Sequence, residues 1–229
     1  MNLEPTTKPA KSLVHLVREP LLRSAGPAPL LLLLHGLGSD ENDLFGLASG
    51  FDGRFCCVSA RAPNSWQPSG WAWYHSRFTP EGPVIDAEEA EESRLTLLRF
   101  IGELVEAQGL DAERVFLAGF SQGAIMSLYV ALTEPRGIAG VVAMSGRLLH
   151  EVLPRLAPPG ELRGLPVLVQ HGTRDGVLPI RFGREAKKEL GGLPLALDYR
   201  EYDMDHEITD ASLADAKVWL SARLDSGRG

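Results

Sequence analysis

Apolar and polar positions along the chain alternate between two rhythms. Short apolar runs bounded by Gly, Pro or Asp read as buried strands, and longer stretches with a three-to-four-residue apolar period read as helices. The runs predict strands over Ser12–Glu19, Leu30–Leu34, Phe55–Ser59, Arg114–Ala118, Ile138–Met144, Pro166–Gln170 and Leu195–Tyr202. Between them the periodic stretches predict helices over Glu41–Ala48, Ala87–Gln108 (closed by Gly109), Gln122–Thr133 (stopped before Pro135), Ile180–Leu190 and Thr209–Leu224, the last amphipathic. Leu30–Leu34 is five consecutive leucines, too short for a helix between Pro29 and Gly36. Strands alternating with helices predict a mostly parallel central sheet covered on both faces, an α/β fold.

Two stretches do not fit either rhythm. Ala60–Ile85 is predicted to be a long connection, and it holds Trp66, Trp71 and Trp73 with Tyr74, His75 and Phe78. Aromatics at this density argue against disorder, and long ordered connections are commonly functional. Leu148–Leu165 is rich in Pro and Leu and reads as irregular. No internal repeat or low-complexity linker is apparent. Residues 1–11 are polar, with two prolines, and read as a flexible segment before a single domain over 12–225.

Composition narrows the setting. Hydrophobic residues make up 44% of the 229, enough for a sizeable core. The net charge of −7 argues against nucleic acid or an anionic membrane surface as the main partner. Neither a signal peptide nor a membrane-length apolar run is seen, so no stable membrane insertion is expected and the cytoplasm is the expected compartment. Cys56 and Cys57 are neighbours in a strand and point to opposite faces, which predicts free thiols. Glu88, Glu89, Glu91 and Glu92 resemble a metal patch, but carboxylates in a first helical turn complement the helix dipole. No His or Cys spacing suits zinc, so no metal and no cofactor are expected.

The chemistry starts at Gly119-Phe120-Ser121-Gln122-Gly123. A G-x-S-x-G pattern alone recurs by chance; between an apolar strand and a helix it describes a sharp elbow that exposes a serine at the carboxyl edge of the sheet. A serine hydroxyl needs a base, and the base needs an acid to orient it. On this architecture the chain order is Ser, acid, His. Asp175 follows the strand ending at Gln170, and His206 follows the strand ending near Tyr202. His206 is the only histidine after Asp175. Ser121, Asp175 and His206 are therefore the expected triad, with Asp203 and Asp205 as competing acids. The backbone N–H groups of Leu37, in the turn His35-Gly36-Leu37-Gly38, and Gln122 are the expected oxyanion donors. His35 and His171 are expected to orient loops. The Trp66–Phe78 loop, with Trp66, Trp71 and Trp73, is expected to wall a substrate pocket together with Leu178, and Leu148–Leu165 to stand opposite. The length leaves no room for a large lid.

Leu34-His35-Gly36-Leu37-Gly38-Ser39, the Ser121 pentapeptide, His171-Gly172-Thr173-Arg174-Asp175-Gly176-Val177-Leu178-Pro179 and Tyr202-Asp203-Met204-Asp205-His206 together resemble the phospholipase/carboxylesterase family of α/β-hydrolases, from about Leu13 to Leu220. The resemblance implies a single-domain α/β-hydrolase, the same triad and oxyanion donors, and hydrolysis of a small-molecule ester or lipid-like ester or thioester. The sequence departs from the family at Asp205, where glycine usually stands, and at His75. Asp205 is expected either to raise the pKa of His206 or to crowd it. Two alternatives stay open: a dienelactone hydrolase-like or peptidase activity, and a non-catalytic binding module on the same fold. A homodimer is also left open.

Overall fold

The computed structural model describes residues 12–22, 26–79 and 82–225; the expected flexible segment 1–11 lies outside them. The elements run β1 (His15–Arg18), β2 (Leu30–Leu34), α1 (Asn42–Phe45), β3 (Cys56–Ala60), β4 (Asn64–Ser65), β5 (Trp71–Ala72), β6 (Ser76–Thr79), β7 (Gly82–Ile85) and α2 (Ala87–Gln108). They continue with β8 (Val115–Phe120), α3 (Gln122–Thr133), β9 (Ile138–Met144), α4 (Pro159–Leu162), β10 (Pro166–Gly172), α5 (Arg181–Gly191), β11 (Ala196–Tyr202) and α6 (Asp210–Asp225).

Seven strands form one sheet in the order β1-β3-β2-β8-β9-β10-β11, parallel throughout except for β1, which pairs antiparallel with β3. β2 is buried along its whole length because the sheet is covered on both sides. Leu30, Leu32 and Leu34 pack into one core with residues of α2 and α3. Leu31 and Leu33 pack into the other, with Leu44 of α1 and Trp219 and Leu220 of α6. Burying each such leucine contributes roughly 1.5–3 kcal/mol, so this run anchors the centre of the sheet. Cys56 and Cys57 are buried free thiols, one in each core.

The differences from expectation have local causes. The first helix is one short turn followed by a 3₁₀ turn over Ala48–Gly50, not a continuous Glu41–Ala48 helix. The connection over Ala60–Ile85 is not irregular: it folds into two small hairpins, β4–β5 and β6–β7. Leu148–Leu165 contains a 3₁₀ segment over His150–Arg155 and α4. β8 and β10 each run two residues further than predicted, because ladder pairing carries Phe120 opposite Met144 and Gly172 opposite Tyr202 whatever the side chains. Asp86 accepts hydrogen bonds from the Glu88 and Glu89 N–H groups at the start of α2, so this turn is capped as well as acidic.

Candidate active site

Four chain segments converge at the carboxyl edge of the sheet: the turn after β2, the elbow between β8 and α3, and the loops after β10 and β11. β2 and β8 are neighbours, β10 lies two strands from β8 on the other side, and β11 lies beyond β10.

At the elbow Ser121 adopts φ 52° and ψ −115°, a conformation that L-residues rarely take. Flanking glycines make it feasible. A Cβ on Gly123 would lie 2.0 Å from the Leu34 carbonyl oxygen, and one on Gly119 would lie 2.2 Å from the Gly123 carbonyl oxygen. Strand and helix therefore cross at backbone contact, and the hydroxyl is pushed out over the edge.

The Ser121 Oγ lies 2.9 Å from His206 Nε2, and His206 Nδ1 lies 2.7 Å from Asp175 Oδ2. The other oxygen of Asp175, Oδ1, accepts from the Val177 and Leu178 N–H groups at 2.9 and 2.7 Å. An ionised carboxylate only accepts, so Nδ1 carries the imidazole proton and Nε2 is left to accept from the serine. The loop bearing His206 is stitched back over β10, where Thr173 N–H donates to the Tyr202 carbonyl and Arg174 N–H to the Met204 carbonyl. It passes so close to Gly172 that a Cβ there would sit 2.4 Å from two carbonyl oxygens. Phe120 packs against the His206 ring, with centroids 4.9 Å apart. Asp203 and Asp205 are exposed and face Arg174, so neither competes with Asp175 and Asp205 does not crowd the imidazole.

His35 and His171 hold loops, as their positions suggested. His35 Nε2 accepts from the Ala62 N–H at 3.0 Å, and its Nδ1 lies 2.7 Å from the Gly36 carbonyl oxygen. Burial pushes its pKa down, which keeps it neutral. In a trans peptide the C=O and the next N–H point opposite ways, so holding the Gly36 carbonyl also fixes the direction of the Leu37 N–H. His171 lies 2.7 Å from the Leu178 carbonyl through Nε2. Among the described residues, no protein group accepts from the N–H of Leu37 or of Gln122, the first residue of α3.

Above Ser121 opens a cleft of about 310 Å³. Leu37, Gln122 and Leu178 line it as expected. The tryptophans do not, and that expectation is corrected. Trp73 is fully buried and donates its indole N–H to the His35 carbonyl at 3.0 Å. Trp71 is half-buried, pairs its backbone with Gly38 and Ser39, and lies under Arg61. Trp66 packs against His75, which is tied to Glu89 of α2. These rings fasten the first hairpin behind the Leu37 turn. The Leu148–Leu165 stretch likewise contributes no residue to the cleft lining.

The Trp66–Phe78 loop does reach the cleft, through Tyr74 and Ser76 rather than its tryptophans, and sequence reasoning missed Ile85, Phe120, Ile125, Val177 and Arg147. It also missed a role of the Gln122 side chain, which accepts from the Trp73 N–H and donates to the Tyr74 carbonyl, both at 2.7 Å. This clamp holds the Tyr74 wall to the elbow. Among the described residues no group of three or more His, Cys, Asp or Glu side chains is arranged to hold a metal ion.

Comparison with known proteins bears on the family and the fold. A family model described as Phospholipase/Carboxylesterase matches residues 23–224. Acyl-protein thioesterase 1 of Eremothecium gossypii is 30% identical over 166 residues, 71% of this chain and 69% of that protein. Acyl-protein thioesterase 1 of Kluyveromyces lactis is 36% identical over 106 residues, so the aligned part spans about half of that relative, 46%. Among solved structures, esterase PE8 superposes with a TM-score of 0.76 at 27% identity, covering 92% of this chain and 98% of that one. A Bacillus cereus carboxylesterase reaches a TM-score of 0.77 at 24% identity, covering 92% and 94%, a likeness of fold.

Proposed function

Because the chain belongs to the phospholipase/carboxylesterase family of α/β-hydrolases, we propose that it is a serine hydrolase that cleaves carboxylic esters and thioesters through an acyl-enzyme on Ser121. The observation that carries this reading is the unbroken relay from Ser121 Oγ through His206 to buried Asp175 at the floor of an open, mostly apolar cleft. His206 takes the hydroxyl proton as Ser121 attacks the substrate carbonyl. The tetrahedral oxyanion rests on the Leu37 and Gln122 N–H groups, aided by the N-terminus of α3. His206 then protonates the leaving alcohol or thiol, and a water activated by the same histidine releases the acid.

Oxyesters and thioesters use the same machinery, so both fall within the proposal. The substrate is a small ester or lipid-like molecule, suited to a mainly apolar cleft. Among the described residues no helix is long and apolar enough to cross a membrane; buried free thiols fit a cytoplasmic setting. The test is hydrolysis of p-nitrophenyl esters of increasing chain length by the wild type and by Ser121→Ala. Turnover confined to the wild type supports the proposal, and equal turnover by both proteins overturns it.

A further inference from the structure

One buried polar side chain at the carboxyl edge of the sheet takes no part in the relay from Ser121 to Asp175. Val167, Val169 and His171 alternate onto one face of β10, and the two valines pack into the core there. His171 is as fully buried as they are, although an imidazole gives up hydration that a third valine would not. The fold makes specific room for its ring. Gly183 of α5 lies against it, and a Cβ at that position would sit 2.7 Å from His171 Cγ and 2.8 Å from Nδ1. Glycine inside a helix is destabilising, so this close approach is kept at a cost.

The ring turns one edge to the catalytic acid. Its Nε2 lies 2.7 Å from the Leu178 carbonyl oxygen and 3.5 Å from Asp175 Oδ2. A carbonyl only accepts, so Nε2 carries the proton, and in the neutral ring Nδ1 is bare. Among the described residues that Nδ1 has no hydrogen-bond partner. The Nε2–H thus donates to Leu178 and sets its positive end beside the carboxylate oxygen that accepts from His206 Nδ1. Leu178 closes the ring of contacts, because its own N–H donates to Asp175 Oδ1. Without the imidazole, the Leu178 carbonyl loses its donor and the turn that fixes the plane of the Asp175 carboxylate is released on one side. His206 takes its direction from that carboxylate, so the displacement passes on to the bond between His206 and Ser121.

We infer that His171 is a positioning residue of the relay: through the Leu178 carbonyl and the flank of Asp175 it holds the carboxylate in the plane that aims His206 at Ser121. The inference rests on the reading of these three residues as a catalytic relay. It is tested with p-nitrophenyl butyrate in a double-mutant cycle of wild type, His171→Leu, Asp175→Asn and the double variant, with His171→Gln as rescue. Glutamine carries an amide nitrogen about as far from the backbone as imidazole Nε2 and can donate to Leu178. His171→Leu is expected to lower kcat about 10- to 100-fold with little change in KM, and His171→Gln to recover most of that loss. In the Asp175→Asn background the same substitution is expected to change kcat less than about twofold, because no carboxylate is left to position. A kcat for His171→Leu within twofold of wild type, no recovery in His171→Gln, or equal losses in both backgrounds would overturn the inference. Should His171→Leu not fold, His171→Asn, whose amide is too short to reach Leu178, takes its place with the same expectations. A second readout needs no turnover. The far-downfield proton resonance of the His206 Nδ1–H on Asp175, identified by its loss in Asp175→Asn, is expected in wild type and His171→Gln and to be shifted or lost in His171→Leu. An unchanged resonance in His171→Leu, or none in wild type, overturns the inference. If wild type turns over no ester, that counts against the hydrolase reading, and this resonance alone judges His171.

Discussion

Replacing Asp175 by Asn changes one oxygen to NH₂ at nearly constant volume, and the surrounding bonds decide the outcome. The new side chain has two orientations. With NH₂ turned towards the Val177 and Leu178 N–H groups, donors face donors and two hydrogen bonds of 2.9 and 2.7 Å are lost. Asp175 is only 4% exposed, so water does not replace them; unsatisfied buried donors cost about 1–3 kcal/mol each, or roughly 2–6 kcal/mol together. With NH₂ turned towards His206, both loop bonds survive. The amide then donates to Nδ1, which forces the imidazole proton onto Nε2. The second orientation is favoured by that margin, so the loop keeps its shape while His206 becomes a donor towards Ser121 and can no longer accept its proton. Tautomer inversion of this kind lowers kcat by about 10⁴ in serine hydrolases. The expected result with p-nitrophenyl butyrate is a kcat lower by about 10³- to 10⁴-fold, with KM and melting temperature close to wild type. An Asn variant retaining a tenth or more of the wild-type kcat would refute the assignment of Asp175 as the orienting acid.

Gly123→Ala puts a methyl 2.0 Å from the Leu34 carbonyl oxygen, so backbone rather than a flexible side chain must yield; a loss of at least about 1–3 kcal/mol is expected, read from urea unfolding, and an unchanged midpoint contradicts the close crossing. Gln122→Ala leaves the Trp73 N–H and the Tyr74 carbonyl without their clamp. It is expected to lower stability by roughly 2–5 kcal/mol and to raise KM, because the Tyr74 wall loosens while the backbone oxyanion donor remains; an unaltered denaturation curve speaks against the clamp. Glu89 raises the pKa of His75 above its ordinary 6.5, burial opposing. Since the folded value is raised, the pair's contribution is fully present below about 6.5 and is lost as pH rises through the folded value. Half-exposure of the imidazole keeps it modest. The melting-temperature gap between wild type and His75→Ala is expected to be wider at pH 5.5 than at pH 9, and equal gaps count against this ion pair.

The site was legible where local chemistry and chain order carry the information. The glycines around Ser121 mark a backbone crossing, and the order of strands brings Asp175 and His206 to the edge that holds the serine. Helices α2 and α3 were bounded to the residue because Gly109 and Pro135 punctuate them. What stayed hidden depends on partners distant in sequence. An aromatic-rich connection announces order but not which way its rings face. Trp73 turns inward because its indole meets the His35 carbonyl, and Tyr74 turns to the cleft because Gln122 holds its backbone. Arg147 carries a charge that ordinarily means solvent, and nothing in Ser145-Gly146-Arg147 announces burial beside the elbow. Asp205 looked like a neighbour of His206 in sequence, but adjacent residues in a loop diverge, and its side chain faces Arg174 instead.

The most direct test of Ser121 as nucleophile is covalent labelling with an alkyl fluorophosphonate and peptide mass spectrometry of the product. Attack by the Ser121 oxygen on phosphorus, with loss of fluoride, is expected to add the phosphonyl mass to the peptide that contains Gly119-Phe120-Ser121-Gln122-Gly123, and to abolish ester hydrolysis in step with labelling. Absence of this adduct at full occupancy of the reagent, or an adduct elsewhere in a protein whose Ser121→Ala variant hydrolyses esters as fast as wild type, would contradict the assignment.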